Sequence, residues 1–170
     1  MTAYVALLRA VNVGGFKLPM AELKAMCDAA GFEQARTYIA SGNAVFGAVL
    51  GEAEVKSELE GRLKHYAGKP VAVLVRDAAA MRSVLADSPF PGATPSRTFA
   101  LFFDEAPTQA AIDDVRHREA EEIRLGRREL YIHYPEGMGS SKLVIPAARL
   151  GTARNMNTVA KLAQMASELA

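Results

Sequence analysis

The chain has 170 residues with 20 Lys plus Arg against 19 Asp plus Glu, half of its residues hydrophobic and 23% charged. That is the size of one good domain or two small halves, too apolar for a disordered chain and too neutral for a global pull on nucleic acid or membrane. Through Asp77 there are 9 basic and 8 acidic residues, and after it 11 of each, so neither half is a basic module.

Ala3–Leu8 is almost continuously apolar, which predicts a strand covered on both faces. Arg9–Lys17 reads as a loop around Gly14-Gly15. A helix follows, with Pro19 in its first turn, Met20, Leu23, Cys27 and Ala30 on one face, and Gly31 at its end. Arg36–Ala40 and Ala44–Phe46 predict strands joined by the turn Ser41-Gly42-Asn43. Glu52–Ala67 predicts a second helix, with Val55, Leu59, Leu63 and Tyr66 in one stripe and Gly68 after it. Val71–Val75 is an apolar run suited to a central strand.

The order to this point is β-α-β-β-α-β, a split arrangement of ferredoxin-like type. The second half repeats the grammar. Asp77 is placed to cap a helix over Ala78–Ala86, before the prolines Pro89, Pro91 and Pro95. Thr98–Phe103 predicts a strand, Pro107–His117 a helix, and Glu122–Leu125 with Glu129–Tyr134 a hairpin. Gly137–Lys142 is a polar glycine loop, and a last helix runs from Asn157, its expected cap, to the end. The expected fold is α+β, two ferredoxin-like halves, 1–77 and 78–170, packed as a pseudo-duplication in one compact unit.

No zinc-protease helix, paired-cysteine motif, complete phosphate-binding loop or serine nucleophile elbow is present, so neither a metal nor a cofactor is implied. Cys27 is the only cysteine, on an apolar stripe where cysteine behaves as a small hydrophobe; it excludes an internal disulfide and suits a reducing compartment. The N-terminal apolar run stops at Arg9, short of a signal segment or a membrane span, and the expected location is cytoplasmic. His133 is the least poor general-base candidate, and no enzyme class follows from it.

Three polar clusters remain. Arg9, Asn12 and Lys17 flank the first glycine loop, Ser41 and Asn43 occupy a turn, and Lys142, Arg154, Asn155 and Asn157 lie near the last helix. Cations and amides beside glycine loops and helix starts make an anion pocket. The same residues also serve as turn locks and caps, and the residues alone leave both roles open.

The blocks Tyr4–Gly15, Lys17–Met20 with Leu23, Tyr38–Phe46, Ser88–Pro91, Ser141–Leu143 and Thr152–Thr158 resemble a bacterial family known as domain of unknown function 1697. The chain departs from that family's usual pattern at Ala10, Ala40 and Met156. The resemblance implies an α+β fold with two similar halves and brings no activity. It directs attention to the same polar loops.

Two functions are therefore expected. One is a small-molecule site for a phosphate or carboxylate ligand. The other is a non-catalytic module for RNA or a protein partner, with Tyr4 and Phe46 as sheet aromatics. The absence of tryptophan and the near-neutral charge place nucleic acid second. Oligomeric state is not written in the sequence.

Overall fold

The computed structural model describes residues 1–169. Among these the chain forms two four-stranded antiparallel sheets and five α-helices, an α+β architecture. Contacts divide it into two units: Met1–Met81 with the stretch from Lys161, and Arg82–Ala160.

The first unit runs β1 (Thr2–Leu8), α1 (Met20–Ala29), β2 (Glu33–Thr37), β3 (Asn43–Ala48), α2 (Glu52–Ala67) and β4 (Val73–Asp77). Its sheet has the order β2-β3-β1-β4, with Val5 opposite Val45 on one side and Arg76 on the other. One face carries Tyr4, Ala6, Leu8, Ala44, Phe46, Val73 and Val75, packed with Leu23 and Cys27 of α1 and Val55, Leu59 and Leu63 of α2. The alternate residues Val5, Leu7, Val45 and Leu74 are buried as well, so β1 is covered on both faces as its unbroken apolar run requires. Phe32, just past the glycine end of α1, stacks on Phe46 at 4.4 Å between ring centroids. At the start of β4, Lys56 Nζ donates to the Val73 carbonyl at 2.6 Å and the Val73 amide donates to Glu60 at 2.9 Å, while Lys56 and Glu60 pair at 2.9 Å.

The second unit contains β5 (Thr98–Phe102), α4 (Gln109–Asp113), β6 (Glu122–Leu125), β7 (Glu129–His133) and β8 (Thr152–Asn155). The sheet order is β6-β7-β5-β8. Its core is Leu101, Phe103, Ile123, Leu130, Ile132 and Tyr134, with Ile112, Val115, Leu143 and Ile145 packed against it. Helices α3 (Ala78–Ala86) and α5 (Met156–Leu169) follow β4 and β8 respectively. As expected, Asp77 caps α3 by accepting the Ala80 amide at 2.8 Å.

Five sequence expectations shift. The helix after β5 covers only Gln109–Asp113, because Arg116 pairs with Val144 in an isolated bridge and His117 turns left-handed at φ 58°. The last helix begins at Met156, and Asn155, not Asn157, is its cap: Asn155 Oδ1 accepts the Thr158 amide at 3.0 Å. The residues before it form β8, a strand with no apolar run to announce it. Strand β2 ends at Thr37, before Ile39 enters the left-handed region at φ 53°. Tyr66, placed in the apolar stripe of α2, is 44% exposed.

Candidate functional site

One end of the first unit gathers three loops. The chain leaves β1 with the Leu8 amide donating to Gly42 and the Arg9 amide to Ala72, both at 2.9 Å, so the loops after β1, before β3 and before β4 lie side by side. Asn12 ties the first two together. Its Nδ2 donates to the Leu18 carbonyl at 3.0 Å and to the Ala40 carbonyl at 2.7 Å, and its Oδ1 accepts the Leu18 amide at 2.8 Å. Asn43 is fully buried and donates to the Tyr38 carbonyl at 2.8 Å and the Ser41 hydroxyl at 3.0 Å, while Tyr38 N–H donates back to the Asn43 carbonyl. Both asparagines therefore shape the loops, using the side-chain-to-backbone bonds that favour turns.

Gly42 completes the clamp. Its φ is 92°, and a Cβ there would lie 2.5 Å from Val11 Cγ2 and 3.0 Å from Leu8 Cβ. Three non-glycine residues in the same loops, Ala10, Asn12 and Ile39, also have φ between 53° and 57°. Such conformations are unfavourable for L-residues, above all for a β-branched one, and they persist where the surroundings over-determine them.

The charge on these stretches is one-sided. Residues 9–19, 38–43 and 64–72 hold Arg9, Lys17, Lys64 and Lys69, together with His65, and no Asp or Glu. Lys17 and Lys64 are exposed and Arg9 is half-buried. Lys69 Nζ stands 5.3 Å above the Phe16 ring, and Phe16 meets Tyr66 edge-on at 6.5 Å. The structure thus brings Arg9, Asn12, Ser41 and Asn43 into one cluster, with Lys17 in the loop that Asn12 pins.

The remaining candidates belong to the second unit. Arg154 is buried on β8, and its Nη1 donates to Thr152 Oγ1 at 2.8 Å and to the Ala153 carbonyl at 2.9 Å. Burial lowers its pKa to about 10, because desolvation disfavours the charged form. Asn155 is the cap of α5, Asn157 is exposed in the first turn, and Lys142 is exposed after a short 3-10 turn over Met138–Ser140. The glycine loop already holds an internal anion. Ser141 Oγ donates to Glu121 at 2.5 Å, and the Glu119 amide donates to the same carboxylate at 2.6 Å. The Ser141 bond, then the backbone amides, hold Glu121 below the usual carboxylate range. An external phosphate at Ser141 would have to displace it.

Several chemistries are disfavoured by geometry. Cys27 is fully buried and burial pushes its thiol up to about 12, leaving a poor nucleophile. Tyr4 and Phe46 are buried under the helices and offer no surface for stacking RNA bases. His133 Nδ1 lies 3.2 Å from Thr98 Oγ1 and its ring 5.8 Å from Phe90, in a packed setting. A cavity of about 540 Å³ in the second unit is lined by Asp104, Glu105 and Asp114 against Arg149, a balance that repels anions. Among the described residues no three His, Cys, Asp or Glu side chains are grouped to hold a metal ion, and no helix is long and apolar enough to cross a membrane.

Sequence reasoning missed one further feature. A cavity of about 610 Å³ lies between the outer faces of α1 and α2, lined by Ala25, Met26, Ala29, Gly61, His65 and Tyr66 among others. Its signal in the sequence was small residues at helical spacing on faces expected to carry charge.

The comparisons with known proteins agree with this architecture. A family model described as "Protein of unknown function (DUF1697)" matches residues 1–131. A solved structure, that of the conserved bacterial protein SP0830 from Streptococcus pneumoniae, is similar over 98% of this chain and 99% of that one. The TM-score is 0.82 at 24% sequence identity, a likeness of fold. No curated protein matches the chain. The chain belongs to the DUF1697 family.

Proposed function

We propose that the clustered loop end of the first unit binds a small anionic ligand, a phosphate or a carboxylate. The observation that carries this reading is the local charge: Arg9, Lys17 and Lys69 lie on adjoining loops and Lys64 in the last turn of α2, and residues 9–19, 38–43 and 64–72 hold no acid. Lys17 and Arg9 would neutralise the anion and the Ser41 hydroxyl would help to orient it. Asn12 and Asn43 hold the backbone that presents them. The left-handed residues support the same reading, since strain of this kind collects at binding sites. Arg154, Asn155, Asn157 and Lys142 are kept as a polar group proposed within the second unit alone, with Arg154 and Asn155 fixing the β8–α5 junction.

No side chain in this cluster is set up as a nucleophile or general base, so the function we infer is binding rather than turnover. The matching strand orders, β2-β3-β1-β4 and β6-β7-β5-β8, support reading the units as ferredoxin-like halves of a pseudo-duplication. The single reduced cysteine supports a cytoplasmic setting.

Amide NMR with inorganic phosphate tests the ligand class. Saturable shifts confined to residues 9–19 and 38–43, weakened in Lys17→Ala and in Arg9→Gln, are expected. An unchanged spectrum at tens of millimolar phosphate overturns the reading.

A further inference from the structure

Gly61 sits in the interior of α2, where glycine is the poorest ordinary helix former, and a Cβ built there meets nothing within 4 Å. Packing in the structure therefore gives no reason for glycine. What the missing side chain does is keep open the cavity between α1 and α2. That cavity, about 610 Å³, is within the range of small-molecule sites. Ala25, Met26 and Ala29 give it an apolar floor, and Tyr66 forms a wall with its ring 44% exposed.

Tyr66 also links the cavity to the cationic loops. Its ring meets Phe16 edge-on, and Lys69 lies over Phe16, so the groove's aromatic wall leads to Lys69 and to the loop that carries Lys17. A groove with an apolar floor and one aromatic wall, joined through Phe16 to Lys69, is complementary to a ligand with a planar ring at one end and a phosphate at the other. The groove's own polar groups fit the middle of such a molecule. Glu22 is exposed at the rim, and Arg62 bridges the helices by donating to Glu58 at 2.8 Å and to the Ala29 carbonyl at 3.2 Å. Carboxylates there would accept hydrogen bonds from sugar hydroxyls or a ring amino group.

We infer that the groove between α1 and α2 binds the ring of a nucleoside monophosphate whose phosphate lies against Lys17 and Lys69. This rests on the anion reading above and deepens it from an unspecified anion to an aromatic one.

Calorimetry with three probes separates the two: adenosine monophosphate, ribose 5-phosphate and inorganic phosphate. Adenosine monophosphate is expected to bind about tenfold tighter than ribose 5-phosphate, the range of a single base–aromatic stack. That advantage is expected to persist in Tyr66→Phe and to vanish in Tyr66→Leu. Gly61→Leu, which fills the groove while improving helix propensity, is expected to remove the advantage without lowering the melting temperature. Equal binding of the nucleotide and ribose 5-phosphate overturns the ring inference and leaves the anion reading standing. Binding of none of the three overturns both.

Discussion

Arg76 and Arg154 occupy equivalent places in the two sheets. Each is buried, each is the residue before a helix cap, and each donates Nη1 to the carbonyl of the residue before it, at 3.0 and 2.9 Å. Arg76 lies opposite Val5 of β1 and Arg154 opposite Ala100 of β5, the corresponding strand. The caps match as well: Asp77 and Asn155 each accept the amide three residues on. Little sequence identity survives around these points, yet the same strand-to-helix junction is built twice.

Because the two caps do the same work, their loss has the same scale. Asp77→Ala and Asn155→Ala each lower the free energy of unfolding by about 1 kcal/mol, the usual effect of removing an N-cap. Asn157→Ala, two residues too late to cap, changes it by less than about 0.5 kcal/mol. Urea denaturation of the three variants checks this ordering, which reverses if α5 starts where the sequence suggested.

Replacing Gly42 by alanine combines two faults. The left-handed backbone disfavours a side chain, and the new Cβ runs into Val11 and Leu8, which are themselves buried. The variant loses about 2–4 kcal/mol, the sum of backbone strain and overpacking. Gly14, also left-handed but with open space around its Cβ position, loses only about 1 kcal/mol on the same substitution. Thermal melts of the pair separate collision from strain.

Ile39 is a β-branched residue at φ 53°, 48% exposed, so its side chain gains little from burial in exchange for an unfavourable backbone. Ile39→Gly relieves the backbone and stabilises the protein by about 0.5–1 kcal/mol after the added flexibility of the unfolded chain is subtracted. Phosphate affinity falls in the same variant if the strained turn pre-organises Ser41. A lower melting temperature contradicts the strain.

Cys27 gives a pH dependence with a definite sign. Its thiol titrates near 9.0 in an unfolded chain and near 12 when folded, first because of burial and then because of Asp28. Below pH 9 both states keep the proton and nothing changes. Above it the unfolded state loses the proton first, so stability falls, by about 1.4 kcal/mol at pH 10 relative to pH 8. The difference between the wild type and Cys27→Ala isolates this slope from other groups. In the native protein the thiol resists alkylation until urea unfolds it.

The elements that were legible in the sequence are those with a strong period or a glycine stop. The unbroken run of β1, the stripe of α1 ending at Gly31 and the Ser41-Gly42-Asn43 turn each carry their own signal. Strand β8 carries none, because Thr-Ala-Arg-Asn is held by pairing to β5 rather than by an apolar pattern. Ile39 could not be placed in the left-handed region from its residue type, which argues against it. The site was half visible. The polar residues of the first unit do meet, but that Asn12 and Asn43 turn inward to brace the loops depends on which carbonyls stand nearby. The groove under Gly61 needs the outer faces of two helices at once, a relationship no single window of sequence contains.

The brace at Val73 has a bearing on life at high concentration. Strand β4 ends its sheet, and a terminal strand offers open backbone groups to any extended chain that drifts by. At its first residue both groups are already held by the Lys56–Glu60 pair from α2, so a newcomer must part that pair before it can zip on. On the far side, β2 is irregular and bears Glu33 and Arg36 outward. The first unit is thereby guarded at both margins against templated, fibre-like association, by side chains at one and by shape and charge at the other.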